Sequence, residues 1–170
     1  MEDSVGRIIA GVFGVLLLFY LPILCLSIKK DNTAQAYMDN AVVEFVDNAR
    51  ATGKITDESY EELCAKIDAA QPCCEIQIVH SVKYTVPTDD GGYETCYYDK
   101  QKDEILEDIY TKTGDNKPYY LRHGDFIQVK VKNTKPTLAT KIYRLILPNY
   151  NPDNVTLFTC YSGYVGNNPE

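Results

Sequence analysis

The chain has 170 residues, of which 45% are hydrophobic and 24% are charged, a length that fits one domain with one further element and argues against a multidomain enzyme. Its 17 basic residues against 24 acidic residues give a formal net charge of −7. Phosphate binding requires clustered lysine and arginine, so this composition argues against a nucleic-acid partner.

A charge-free stretch of 21 residues, 8–28, lies between Arg7 and the adjacent pair Lys29 and Lys30. At 1.5 Å of rise per residue, a helix of this length measures about 31 Å, which matches a hydrocarbon core of roughly 30 Å. Pro22 is tolerable inside such a helix. We therefore predict one membrane-spanning segment and a single-pass protein of the cell membrane.

A cleaved signal peptide is the alternative explanation of this stretch, but it needs a basic start, a shorter apolar run and a small-residue cleavage site. Here the tail carries Glu2 and Asp3, and no A-x-A site follows. We divide the chain into a tail with a transmembrane helix, residues 1–30, and a head, residues 31–170. The first thirty residues hold three basic and two acidic residues, which leaves 14 and 22 in the head, a net charge of −8.

Apolar residues recur at helical spacing after the membrane segment, at Ala34, Tyr37, Met38, Ala41, Val42, Phe45, Val46 and Ala49. This pattern predicts that the membrane helix continues as an amphipathic helix to about Ala51 and stops at Gly53. We expect its stripe to pack the helix onto the head through Tyr37, Ala41, Phe45 and Val46. A second helix of about 14 residues should follow, with Thr56 as its N-cap and Pro72 beyond its end.

From Cys74 the apolar period changes to two, which predicts a strand as far as Val86. The turn residues 88–92 then predict an antiparallel return over residues 93–98. His80 falls on the apolar face of the first strand. No carboxylate or hydroxyl motif surrounds it, so a hydrogen-bonded core or edge histidine is favoured over a functional one.

The remaining pattern predicts a helix over 99–113 with Gly114 as its stop, a strand over 126–132, a loop over 148–154 and a last strand over 155–165. Residues 138–147 are ambiguous between helix and strand. This order argues for an α+β fold with a small antiparallel sheet packed on helices. The phosphate fingerprint of a dinucleotide-binding sheet and a P-loop are both absent from the sequence.

Five cysteines lie in the head, an odd number that cannot all pair within one chain: Cys64, Cys73, Cys74, Cys96 and Cys160. One or two disulfides remain open, but an adjacent pair in an odd set is a poor framework, so we favour reduced packing cysteines. The sequence has no C-x2-C pair, and neither His80 nor His123 has cysteine partners at zinc spacing. We expect no metal.

No sequence motif of an enzyme is present: there is no G-x-S-x-G elbow, no H-E-x-x-H helix and no recognisable Cys-His signature. We therefore expect a non-enzymatic protein without a cofactor or a small-molecule substrate. The 14 tyrosines could serve in packing or in protein contact, and packing is favoured because strands are rich in tyrosine.

An uncleaved apolar helix that continues into an amphipathic one and carries a small α+β head resembles type IV pilins and pseudopilins. A more specific pattern resembles membrane-anchored proteins of Firmicutes associated with Tad-type pilus machinery, over most of residues 5–80 and the last fifteen. It comprises residues 6–10, Pro22, Asp31, Asn32, residues 45–47, residues 50–56, Tyr60 and residues 161–165.

The resemblance implies a pilin-like or pseudopilin subunit that contacts the membrane, other pilin-like subunits or proteins of the pilus assembly platform. Prepilins usually carry Glu at the fifth position after their cleavage site, which would be Gly11 here if the cut followed Gly6. Ala10, Gly11 and Gly14, with Pro22 further along, would permit close helix packing in the membrane. We expect the N-terminus in the cytoplasm and the head outside it. The alternative is a single-pass adhesin or sensor whose head acts alone.

Overall fold

The computed structural model describes residues 2–110, 118–147 and 156–166. Its longest element is α1 (Glu2–Thr52), one helix of 51 residues that runs without a break through Pro22. Gly53 ends it, with φ of 65° and its N–H donating to the Ala49 carbonyl at 2.9 Å. This is a glycine C-terminal stop, as predicted, because glycine adopts positive φ without a steric penalty.

The head follows α1 as an α+β arrangement. In chain order its elements are β1 (Lys54–Ile55), α2 (Asp57–Ala70), β2 (Cys74–Pro87), β3 (Tyr93–Gln101), α3 (Lys102–Tyr110), β4 (Tyr119–Tyr120), β5 (Phe126–Asn133), α4 (Leu138–Ile146) and β6 (Phe158–Tyr164). Four strands form an antiparallel sheet in the order β3-β2-β5-β6, and β1 pairs with β4. A long apolar N-terminal helix with a small antiparallel sheet is the predicted architecture.

The sheet runs along the second half of α1. Gln35 exchanges two hydrogen bonds with the backbone of Phe158 at the start of β6, and Arg50 Nε donates to the carbonyl of Tyr164 at its end. Fifteen helical residues rise about 22 Å, and six strand residues span about 20 Å, so the two elements stay side by side. Ser81 of β2 pairs with Phe126, and Phe126 pairs with Tyr164. The turn that follows β2 therefore lies at the end of the head that is far from the apolar half of α1.

One stripe of α1 forms the spine of the core. Its members are each at most 5% exposed: Ala34, Met38, Ala41, Val42, Phe45, Val46 and Ala49. Tyr37, which we predicted to pack with Ala41, Phe45 and Val46, is 55% exposed instead. At about 100° per residue, Tyr37 lies about 100° from the middle of the stripe, which places it outside the contact with the sheet.

The second helix begins as predicted. The Thr56 side chain accepts from Ser59 N, and the Ser59 side chain accepts from Thr56 N, which forms a reciprocal capping box. Asp57 lies in the first turn, where the helix dipole favours a carboxylate. Leu63 and Ile67 are buried in the core beside α1.

The structure shifts the predicted bounds of the third helix and the last strand, which spans Phe158–Tyr164, and it resolves one ambiguous segment. The third helix begins at Lys102 rather than at 99, because β3 continues as far as Gln101, which pairs with Val79. The ambiguous residues 138–147 form α4, with the Thr137 side chain accepting from Thr140 N as an N-cap. Residues 111–117 and 148–155 lie outside the described residues, and so do the predicted helix stop at Gly114 and the predicted loop 148–154.

Candidate functional site

The apolar half of α1 is an exposed hydrophobic surface. Within the described residues, the helical span Ser4–Thr52 is long and apolar enough to cross a membrane, and its most apolar window has a mean hydropathy of 2.6 with none of it buried in the protein. A soluble protein rarely exposes a contiguous apolar surface of this size, whereas a lipid bilayer would cover it. The helix fits a single-pass membrane anchor.

A row of small residues lies along this surface. Gly6, Ala10 and Gly14 follow one another at intervals of four, so on a continuous helix each is about 40° from the next. A side chain built on Gly6 or Gly14 would meet nothing within 4 Å. Ala10 and Gly14, both predicted to pack, thus lie on one face. Gly6 lies on the same face but was not predicted, although the sequence shows that it is four residues before Ala10.

The other two residues predicted for packing in the membrane lie off that row. Gly11 is about 100° around the helix from Ala10 and borders a separate shallow groove with Val12 and Val15. Pro22 is exposed and lies eight residues beyond Gly14. The predicted set is therefore not one row: Ala10 and Gly14 lie on it, Gly11 lies about 60° to the side of Gly14, and Pro22 lies further along the helix.

A buried polar cluster lies in the head and is centred on His80. The His80 Nδ1 is 2.7 Å from the hydroxyl of Tyr119, and its Nε2 is 2.9 Å from Oδ2 of Asp125. The three residues are between 1% and 7% exposed. Asp125 also accepts from the backbone N–H groups of Lys83 and Arg122, each at 2.8 Å. An ionised carboxylate only accepts hydrogen bonds, so the Nε2–H of His80 donates to Asp125, and Nδ1 accepts a hydrogen bond from the Tyr119 hydroxyl.

Burial keeps this cluster uncharged at the histidine and the tyrosine. It lowers the pKa of His80, against the opposing effect of the Asp125 carboxylate, and it raises the pKa of Tyr119. Moving the proton from Tyr119 to His80 would create two charges that burial disfavours. The cluster is therefore suited to joining β2, β4 and the start of β5.

The prediction of a hydrogen-bonded core histidine is confirmed, but its partners were missed. Tyr119 and Asp125 lie 39 and 45 residues from His80 along the chain, and no local pattern connects them. A cleft of about 450 Å³ borders the cluster. There, Lys100 Nζ lies 3.4 Å from Asp108 Oδ2 and 5.4 Å from the centre of the Tyr119 ring, so the lysine charge is balanced by a carboxylate of α3.

The cysteines do not form a site in the part of the chain that the structure describes. All six cysteines of the chain lie there and are free. Cys64 and Cys74 are half-buried and pack against the core, whereas Cys73 and Cys160 are exposed, so the predicted packing role holds for only part of the set. In the same described ranges, no group of three or more His, Cys, Asp or Glu side chains is placed to hold a metal ion.

The β2–β3 hairpin exposes several tyrosines. Its outer part pairs Lys83 with Tyr97 and Pro87 with Tyr93, and the exposed tyrosines of these strands are Tyr84, Tyr93, Tyr97 and Tyr98. Of the tyrosines in the described residues, eight are exposed. Our prediction that the tyrosines serve mainly in packing is therefore wrong for these eight. Exposed tyrosine is typical of protein contact surfaces.

Comparisons of the chain with protein-family models, curated proteins and solved structures found no match. The functional proposal consequently depends on the geometry of this chain.

Proposed function

We propose that the chain is a non-enzymatic, pilin-like or pseudopilin subunit of a Tad-type or related type IV-like envelope assembly, with its head outside the cytoplasm. The continuity of α1 carries this proposal. One helix of 51 residues, about 77 Å long, is apolar and mostly exposed over residues 8–26 and is buried along one stripe in its second half. A helix that is both anchor and spine holds the head in a fixed relation to its neighbours in the membrane.

The row of small residues supports lateral packing of the apolar half. Without side chains beyond a methyl group, Gly6, Ala10 and Gly14 allow another helix to approach the backbone closely. In lipid, where hydrophobic burial does not drive association, this close van der Waals contact is a main source of helix–helix affinity.

Two regions that contribute to the resemblance, at the end of α1 and in the last strand, also meet in the structure. Arg50 Nε donates to the Tyr164 carbonyl at 2.8 Å, and the Tyr161 hydroxyl donates to Asp47 Oδ1 at 3.3 Å. Residues 45–56 and 161–165 are thus one structural unit, although more than a hundred residues separate them in sequence. This contact supports treating the pattern as one feature rather than as scattered similarities.

Cross-linking in native membranes, followed by mass spectrometry, tests the proposal. We expect cross-links from the chain to other pilin-like subunits or to assembly-platform proteins, and we expect Gly14→Ile to reduce them. Ile favours a helix more than Gly does, so this loss would report packing rather than unfolding of the helix. Val12→Phe adds bulk on the opposite face and serves as the control. A chain that never associates with such proteins would contradict the proposal.

Protease treatment of cells with the wall removed tests the orientation. We expect trimming of the head beyond Lys30, because the head should lie outside the cytoplasm. Protection of the head in intact cells, with digestion only after lysis, would place the head inside and overturn this part of the proposal.

The exposed tyrosines of the β2–β3 hairpin favour a second candidate, a single-pass adhesin or sensor whose head acts alone. In that case the chain should be monomeric in the membrane, and changes in the row of small residues should not affect surface binding. Tyr93→Ser with Tyr97→Ser should then abolish surface binding, while Gly14→Ile should leave it unchanged.

A further inference from the structure

The head covers one face of the apolar segment as well as the amphipathic half of α1. Tyr20, Leu24 and Ile28 are half-buried and Ser27 is 4% exposed, whereas Leu26 between them is 66% exposed. The covered positions follow the spacing of one helix face. From Ile28 back to Tyr20 the helix rises about 12 Å. Whatever covers this face lies at the depth of residues 20–28, the last nine residues of the apolar segment 8–28.

Helix α4 is part of that cover. At its start, Thr137 Oγ1 donates to Asp31 Oδ2 at 2.6 Å. Further along, the Tyr20 hydroxyl donates to the carbonyl of Ile142 at 3.5 Å. Between these two contacts, Ala139 and Thr140 of α4 line a cleft together with Ile28. Helix α4 therefore lies beside α1 between the levels of Asp31 and Tyr20, where the membrane surface would be.

The outward face of α4 is apolar. Leu138, Ile142, Leu145 and Ile146 follow the spacing i, i+4, i+7, i+8, which is the pattern of a face that is normally buried. Leu145 is nevertheless 80% exposed, and Leu138 and Ile146 are each 53% exposed. The buried residues Ala139 and Thr140 are on the other side of the helix. The protein leaves this apolar face of α4 uncovered at the level of the membrane.

The charge of α4 is opposite to that of the head. Its nine residues include Lys141 and Arg144 and no acidic residue, in a head whose net charge is −8. Lys29 and Lys30 precede Asp31 on α1, at the level of the start of α4, and both are exposed. Basic residues beside an apolar helix face are the pattern of helices that lie in the interface of anionic membranes.

We propose that α4 is an interfacial helix, whose apolar face lies among the lipids of the leaflet on the head side, while Lys141 and the pair Lys29 and Lys30 contact anionic headgroups. The inference rests on the single-pass anchor and adds a second lipid contact to it. With α4 in the lipid, the head is held to the membrane at two places, α1 and α4. The head then cannot rotate freely about the axis of α1, so α4 fixes which side of the head faces the membrane.

The chain has no tryptophan, so single substitutions report the environment of chosen positions in the full-length protein. We use vesicles of phosphatidylcholine with phosphatidylglycerol as the minor component. Leu145→Trp should show blue-shifted emission, quenching by lipids brominated near the headgroup end of the acyl chain, and protection from aqueous iodide. Quenching by iodide, or protection from both quenchers through a protein contact, would overturn the proposal.

Two control positions separate this outcome from failure of the anchor. Leu16→Trp, in the apolar half of α1, should be quenched by bromines near the bilayer centre, and absence of that quenching would mean that the anchor proposal itself is wrong. Tyr93→Trp, at the far end of the head, should be quenched by iodide alone. Lys141→Glu in the Leu145→Trp protein should reduce lipid quenching in the anionic vesicles and leave it unchanged in pure phosphatidylcholine. An equal effect in both would contradict the headgroup contact.

Discussion

Arg50, in the last turn of α1, lies directly over Gly163 of β6. A Cβ built on Gly163 would come within 2.5 Å of Arg50 Nε and 2.6 Å of its Cζ. The same guanidinium donates from Nε to the Tyr164 carbonyl at 2.8 Å and from Nη1 to Asp47 Oδ1 at 2.9 Å. The missing side chain at position 163 is therefore what lets the end of the spine helix bond to the edge of the sheet.

Gly163→Ala should displace the Arg50 side chain and break its bond to Tyr164, at a cost of about 1 kcal/mol in the free energy of unfolding. Denaturant unfolding of the detergent-solubilised chain measures this value. In an Arg50→Ala protein the clash is gone, so adding Gly163→Ala should cost nothing or should stabilise the strand slightly. Equal costs in both backgrounds would show that the two residues do not interact.

Phe45→Ala should destabilise the head by about 3–5 kcal/mol, the range for deletion of a buried aromatic side chain. Phe45 is 5% exposed in the stripe of α1, whereas Tyr37 on the same helix is 55% exposed. Tyr37→Ala is therefore the matched control and should change the thermal midpoint little. An unchanged midpoint for Phe45→Ala would mean that the stripe faces a partner or solvent.

The elements that the sequence predicts correctly depend on local patterns. The length of α1 follows from a helical period that ends at Gly53, and the start of α2 follows from Thr56 as an N-cap. The hairpin follows from alternation on both sides of a glycine-containing turn. Each of these signals lies within a few residues of the feature that it predicts, and the structure bears out all three.

The features that the sequence did not reveal depend on distant residues. The pairing of β1 with β4 joins Lys54 to Tyr120, and strands of two residues have no period to detect. The partners of His80 come from two other segments. The fold of residues 138–147 was ambiguous because an apolar stretch interrupted by two basic residues fits either period, and the N-cap at Thr137 together with contact to α1 decides for a helix.

The stability of the head should fall as the pH decreases below about 6.5, the ordinary pKa of histidine. Burial lowers the pKa of His80 in the folded protein. The unfolded chain therefore binds a proton more readily, and the free energy of unfolding decreases as the pH falls through this window. Denaturant unfolding between about pH 7.5 and pH 5.5 should show this dependence of the free energy of unfolding on pH. This pH range lies above the range in which ordinary carboxyl groups titrate.

Two variants assign this slope. His80→Asn removes the buried imidazole and should flatten the dependence, whatever its effect on stability at neutral pH. His123→Asn removes the other histidine, which is exposed, and should leave the slope as it is. A slope that persists in His80→Asn would show that another group is responsible.

The cysteines of the head should react with an alkylating agent at rates that follow their surroundings. Cys73 and Cys160 are exposed and should react first. Burial raises the pKa of the Cys74 thiol, and its Sγ donates to the Gln71 carbonyl at 3.2 Å. Because the thiolate is the nucleophile, Cys74 should react more slowly than its neighbour Cys73.

Mass spectrometry of the alkylated protein locates each modification, and alkylation in denaturant, where the head cysteines lose their different surroundings, provides the reference. We expect five labelled head cysteines at completion, because all five are free in the structure. The difference between Cys73 and Cys74 should disappear in denaturant, since it comes from burial and a local hydrogen bond. Fewer than five labels without a reductant, restored by adding one, would show that a disulfide forms and that the thiols are not all reduced.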